Sequence, residues 1–283
     1  MHKRPLVSVD WLKPRLSDNT VKIVDGSWHL PPENRDGYAE YLKEHIPGAV
    51  FFDIDAISTP CDLPHMLPSV ATFKESVGKL GLSSTHTVVV YDTKGLFSAA
   101  RVWWMLKTFG FEDVRILNGG MPAWRASGLT IESGAVEVMQ TTIEPAFNAA
   151  GVVNASEVLE CSNALISGDN GAQILDARSQ GRFDGVDPEP RAGLRAGHIP
   201  GSVCLPYTDL LVDGELKTNE ALREVFDAAS LIEGKSIITS CGSGVTAAIL
   251  TLGLHCIGRD DCAVYDGSWT EWGGREDLPV VKS

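Results

Sequence analysis

Hydrophobic positions along this chain fall into two kinds of run that alternate. The first kind is short and rich in Val and Ile: VKIVD at 21–25, AVFFD at 49–53, TVVVY at 87–91 and DVRIL at 113–117, then QILDA at 173–177, GSVCLP at 201–206, SIITS at 236–240 and CAVYD at 262–266. Contiguous apolar runs of this length predict strands buried on both faces. The second kind is longer and helical in spacing: SAARVWWMLKTFG at 98–110, NEALREVFDAA at 219–229 and GVTAAILTLGLHCIG at 244–258. The last has almost no polar face, so it is expected to be buried all round. Strand–helix alternation predicts an α/β fold whose mainly parallel sheets carry helices on both faces.

The pattern is written twice. The Ile-Pro-Gly triplets of EHIPGAVFFDI (44–54) and GHIPGSVCLPY (197–207) begin at 46 and 199, 153 residues apart. Asp25 of VKIVDGSWHL matches Asp176 of AQILDARSQG at an offset of 151, and Trp124 matches Trp272 at an offset of 148. Matches in the same order at a near-constant offset predict a tandem duplication. The expected division is one domain over 1–128, a connector of weak pattern over 129–150, and a second domain over 151–283.

Composition narrows the function. The 283 residues suit two domains of ~100–200 residues each. The formal net charge of −13 argues against nucleic-acid partners and anionic membranes, both of which select basic faces. No apolar run approaches the ~18 residues of a membrane-spanning helix. The opening MHKRPLVSVDWLKPRL is broken by prolines and charges and does not read as a secretory signal, so a cytoplasmic protein is expected. Six cysteines stand at 61, 161, 204, 241, 256 and 262, with no C-x-x-C and no zinc-finger spacing. No metal and no organic cofactor is expected.

One of the six departs from packing chemistry. Cys241 opens the segment SCGSGVTA (240–247), between a predicted buried strand and a predicted buried helix. Sites in open α/β sheets form at the C-terminal ends of strands. Gly242 and Gly244 let the backbone curl so that successive N–H groups turn inward, which favours an anion at a helix N-terminus. Such a setting is expected to lower the thiol from its reference of ~8.5. Nucleophilicity falls with pKa, so the net gain is only a few-fold. The larger benefit is holding an anionic product on sulfur, such as a persulfide. A C-x-x-x-x-x-R oxyanion loop is excluded because position 247 is Ala, not Arg. In the first half Asp92 stands where Cys241 stands in the second, so the sulfur chemistry belongs to the second half.

Duplicated halves, paired HIPG segments and the loop CGSGVTA together resemble the two-domain rhodanese-type sulfurtransferases, over about Val9 to Pro279. The uncharged Gly242–Ser243 pair is similar to the branch whose sulfur donor is 3-mercaptopyruvate; thiosulfate users carry basic residues there. The resemblance implies tandem rhodanese-like domains. It also implies roles for residues in matching segments: Arg182 of GRF and Arg191 of PEPR as grips on the donor's carboxylate and carbonyl, and Asp55 of DID and His65 of PHMLP as a relay to Ser243. A guanidinium fork suits a carboxylate, and an imidazole titrates near neutrality.

The expected reaction is then double displacement. Cys241 takes the donor sulfur as a persulfide within the loop of Gly242, Ser243, Gly244, Val245 and Thr246, pyruvate leaves, and a thiol, thioredoxin or cyanide removes the sulfur. A thiosulfate sulfurtransferase and a persulfide carrier without turnover are the alternatives. Trp103, Trp104, Trp269 and Trp272 read as packing, His45 and His198 as turn contacts, Cys161, Cys204, Cys256 and Cys262 as packing, and Cys61, four residues from His65, as an accidental neighbour or an oxidation-sensitive thiol near the cleft.

Overall fold

The computed structural model describes residues 4–169, 171–232 and 234–283. Met1–Lys3, the start of the segment read as lacking a signal, lie outside the described residues. The first half forms a five-stranded sheet from β1 (Leu6–Val7), β2 (Val21–Asp25), β3 (Val50–Phe51), β4 (Thr87–Tyr91) and β5 (Val114–Leu117), in the order β1-β5-β4-β2-β3. The second half contributes β6 (Val152–Val153), β7 (Gln173–Asp176), β8 (Val203–Cys204), β9 (Leu211–Val212), β10 (Glu215–Leu216), β11 (Ile237–Ser240) and β12 (Cys262–Tyr265). Its five-stranded sheet runs β6-β12-β11-β7-β8. Replacing each strand by its repeat partner converts one order into the other. Every pairing within the two sheets is parallel.

The continuous apolar runs are explained by two-sided burial. Along β4, Val88 and Val90 face a central core while Val89 and Tyr91 face an outer one. Along β11, Ile237 joins the central core and Ile238 an outer one. The central core is shared by both halves. It is closed by the helices Ala99–Thr108 and Ala247–Cys256, which pack against each other. The second of these lies between its own sheet and the other half, which is why it lacks a polar stripe. Trp124, Trp269 and Trp272 fill the two outer cores.

Three features differ from the sequence pattern. The runs at 49–53 and 201–206 pair over only two residues each, because both are edge strands that leave the sheet early. The edge strands β1 and β6, two residues long, carry no periodic signal. An antiparallel ribbon, β9–β10, turns through Asp213 and Gly214, both at positive φ; Asp-Gly is the favoured pair for such a turn. The ribbon docks on the first half: Leu216 N donates to Asn118 Oδ1 at 2.9 Å, and Arg4 Nη2 donates to Leu216 O at 3.1 Å. Residues 133–147 run along the first half without regular structure, held by Thr141 N to Gly78 O at 2.9 Å and Ala146 N to Phe109 O at 3.0 Å.

Candidate active site

Cys241 follows the last residue of β11, at the sheet's C-terminal edge, and the helix Ala247–Cys256 begins six residues later. The intervening loop is pinned from one side by the start of the short helix Ser268–Trp272. Ser268 Oγ accepts the N–H groups of both Cys241 and Gly244, each at 3.1 Å, and donates to Tyr265 O at 2.7 Å. Trp269 N and Thr270 N donate to the carbonyls of Cys241 and Gly242 at 2.9 and 2.8 Å. Among the described residues, no hydrogen bond engages the N–H of Gly242, Ser243, Val245 or Thr246. Those four residues and Cys241 line a cavity of about 270 Å³. Gly244, expected in the same cradle, does not line it, because its N–H is turned to Ser268. Cys241 is only 1% exposed, so the cavity is its route to a small molecule.

The first half shows the same loop with an anion in place. Asp92 follows β4 as Cys241 follows β11, and its carboxylate accepts from Lys94 N at 2.9 Å, Phe97 N at 2.7 Å and Ala99 N at 2.9 Å. Its carbonyl accepts from Met121 N at 2.9 Å, as that of Cys241 accepts from Trp269 N. At the same offset of 149, Lys94 and Phe97 correspond to Ser243 and Thr246. The duplicated loop is thus an anion cradle, filled by a carboxylate in one half and open to the cavity in the other.

Two guanidinium groups complete the cavity wall. Arg182 donates through Nη2 to Glu189 Oε2 at 2.5 Å. Glu189, almost fully buried, also accepts from Arg178 at 2.7 Å, and Arg178 pairs with Asp176. This chain of alternating charges fixes Arg182 over Gly242: a Cβ at 242 would stand 3.1 Å from Arg182 Nη2. Arg191 lines the same cavity. Burial lowers its pKa, although Cys241 and Asp55 pull the other way; a guanidinium stays charged regardless.

Arg191 and Trp28 also line a second cavity of about 560 Å³, which holds Asp55 and His65. His65 Nδ1 lies 2.5 Å from Asp55 Oδ1, and Trp28 Nε1 donates to Asp55 Oδ2 at 2.9 Å. Burial depresses the His65 imidazole, with Arg101 and Arg191 adding to it, more than Asp55 raises it. Burial pushes Asp55 up, but His65, Trp28 and Arg191 together hold it below the ordinary carboxylate value. The expected link from His65 to Ser243 is absent among the described residues: His65 Nε2 lies 3.4 Å from Arg191 Nη2 instead.

A rhodanese-like domain pattern matches twice, over residues 8–127 and 160–275. The chain belongs to the rhodanese-like family. It is 46% identical over 276 residues to the 3-mercaptopyruvate sulfurtransferase of Escherichia coli strain K12, covering 97% of this chain and 96% of that protein. It is 44% identical over 294 residues to the mitochondrial thiosulfate/3-mercaptopyruvate sulfurtransferase 1 of Arabidopsis thaliana, covering 98% and 78%. The crystal structure of the 3-mercaptopyruvate sulfotransferase SseA from Escherichia coli superposes with a TM-score of 0.86 at 43% identity, covering 94% of this chain and 99% of that one.

For this rhodanese-like chain, the site residues read from the sequence divide by location. Cys241, Ser243, Arg182, Arg191, Gly242, Val245 and Thr246 meet at one cavity; Asp55 and His65 reach it only through Arg191 and Trp28. Burial makes four of the other cysteines poorer nucleophiles than a free thiol: it pushes Cys204 and Cys262 up to about 12, Cys256 up to about 11, and raises Cys161. Ser268, Glu189 and Trp28 were not legible as site residues. Glu189 sits inside the PEPR segment, two residues before Arg191, and that proximity was the available signal. Ser268 carries a positive φ of 49°, which a one-letter Ser does not announce.

Among the described residues, no helix is long and apolar enough to cross a membrane.

Proposed function

We infer that this chain is a 3-mercaptopyruvate sulfurtransferase. The observation that carries the reading is a single cavity where a buried thiol, two guanidinium groups and four loop residues with unengaged N–H groups converge. Arg182 and Arg191 hold the donor's carboxylate and carbonyl, with the donor sulfur against Cys241. The Cys241 thiolate forms an S–S bond to that sulfur as the donor's C–S bond breaks. The electron pair leaves on carbon as pyruvate enolate, and a proton converts it to pyruvate. Ser243, on the cavity wall, and the Asp55–His65 pair beyond Arg191 move that proton. The outer sulfur of the Cys241 persulfide is an anion, and the amides of the loop hold it. An acceptor thiolate then attacks the outer sulfur, the S–S bond breaks, and the Cys241 thiolate returns.

Two cations also suit a compact dianion, and the Arabidopsis relative is named for both donors. Thiosulfate is therefore the second donor in this reading, used less well because the loop positions 242 and 243 bring no charge. The same proposal includes a small thiol or thioredoxin-like acceptor, a cytoplasmic location, and the division into 1–128, connector 129–150 and 151–283. The direct test is intact-mass spectrometry after brief exposure to 3-mercaptopyruvate without acceptor. One sulfur atom is gained per chain, lost in Cys241→Ser and retained when the other five cysteines are replaced. A gain that survives Cys241→Ser overturns the assignment.

A further inference from the structure

Among the described residues, one fully buried arginine side chain has no place in the reaction as read so far. Arg101 sits in the first turn of the helix Ala99–Thr108, from the first half, and is 0% exposed. Its Nη1 donates to Asp266 Oδ1 at 2.6 Å and to Gly244 O at 3.2 Å, both in the second half. Its Nη2 donates to the carbonyl of His65. Asp266 Oδ2 accepts from Leu67 N at 2.7 Å, so the pair clasps the 65–67 segment at two points. The guanidinium lies over the Trp104 ring, 4.6 Å from its centroid.

These bonds join the two backbones that the chemistry needs in register. On one side is Gly244, in the loop that starts at Cys241. A Cβ there would meet Arg101 Nη1 at 2.7 Å and Asp266 O at 2.8 Å, and the backbone is left-handed at φ +75°. On the other side is His65, itself at φ +59°, a conformation that a non-glycine residue keeps only when its surroundings enforce it. The duplication supplies an internal control. The positions that match Arg101 in the paired helix, at offsets of 148 and 149, are Ile249 and Leu250, both buried and apolar. This helix–helix packing therefore does not require a cation. A buried ion pair is weak support for stability when apolar residues fill the equivalent place. The charge is present only on the side that faces the cysteine loop.

We propose that Arg101, with Asp266, is a positioning residue for sulfur transfer: it sets the His65 segment of the first half against the Cys241 loop of the second. This rests on the reading of Cys241 and His65 given above. The groups facing the His65 ring are Asp55, Arg191 and Trp28, with Arg101 on its carbonyl. None of the first three is altered by changing Arg101.

The test uses the full chain with Arg101→Lys, Arg101→Met and Asp266→Asn. Each variant's active fraction is counted as the persulfide-bearing fraction by intact mass, and rates are normalised to it. The expected result for Arg101→Met is a fall in kcat of about 10- to 100-fold, as for a displacement on the order of 1 Å between reacting groups. KM for 3-mercaptopyruvate stays within about threefold, because Arg182 and Arg191 remain in place. The pH profile of kcat shifts, and Arg101→Lys recovers part of the loss. Asp266→Asn keeps the shape of the clasp and is the readout should Arg101→Met fail to fold; it is expected to lower kcat in the same direction. Normalised kcat and pH profile unchanged in the folded variants, with only thermal stability reduced, overturn the proposal. Full activity of Cys241→Ser or His65→Asn overturns the underlying reading instead, so the two failures are distinct.

Discussion

Replacing Arg182 by Lys separates charge from shape at the donor site. In the structure Arg182 is anchored by Glu189, 2.5 Å from Nη2, while its guanidinium borders the Cys241 cavity above Gly242. A lysine keeps the positive charge and can still reach Glu189, whose other oxygen stays bonded to Arg178 at 2.7 Å. The fold is therefore expected to survive. What is lost is the planar fork that meets a carboxylate with two parallel N–H bonds. One charge-assisted hydrogen bond contributes about 1.5–3 kcal/mol. At about 1.36 kcal/mol per factor of ten, kcat/KM for 3-mercaptopyruvate is expected to fall about 10- to 150-fold. Thiosulfate is a compact dianion that responds to charge more than to a fork, so its kcat/KM is expected to fall by less than about fivefold. The assay is steady-state turnover with each donor at a fixed, saturating acceptor concentration, with pyruvate and sulfite as the respective products. Arg182→Met, which removes the charge as well, is expected to damage both donors. Equal losses for the two donors in Arg182→Lys refute the carboxylate assignment.

Four further outcomes follow from the structure. Gly242→Ala is conformationally tolerable but moves the Arg182 tip by a few tenths of an ångström, so it lowers kcat/KM several-fold with little change in stability. Gly244→Ala, at φ +75° against Arg101 and the Asp266 backbone, is expected to cost about 1–3 kcal/mol in urea unfolding. Asp92→Asn sets an NH2 against amides that now donate to a carboxylate, and a destabilisation of about 1–3 kcal/mol in the same assay is expected, with kcat unchanged per active site. The His65 imidazole, held below its ordinary value of 6.5 chiefly by burial, gives a pH signature. Between the folded value and 6.5 the unfolded chain binds more protons, so stability falls as pH drops through that window. Urea midpoints at about pH 5.5 and about pH 7.5 are expected to converge in His65→Asn, since Asn tolerates the left-handed backbone. An unchanged gap between the two midpoints contradicts the buried-imidazole assignment.

Much of the site was legible because its signals are local. Cys241, Gly242, Ser243, Val245 and Thr246 are neighbours in sequence, and a strand on one side with a helix on the other is enough to place them together. Arg182 and Arg191 were legible only through resemblance, since nothing in their spacing separates them from surface charges. The His65–Ser243 contact was expected and is not formed, because Arg191 takes the Nε2 side of the imidazole. That outcome depends on where a residue 126 positions away comes to rest. Arg101 and Glu189 read in one-letter code as an arginine in a helix and an acid between prolines. Only their burial shows that each joins charges from separate segments.

The sequence alone determined the duplication, the parallel α/β sheets and the cysteine loop. Apolar periodicity and turn chemistry act over a few residues, and the repeat was readable as an offset. Tertiary structure alone decided which N–H groups of the loop stay unengaged, which cation stands over Gly242, and how the first half is locked to the loop through Arg101 and Asp266. Those are properties of contacts between distant segments. Directional hydrogen bonds and buried charges depend on distances of a few tenths of an ångström, which no local pattern specifies.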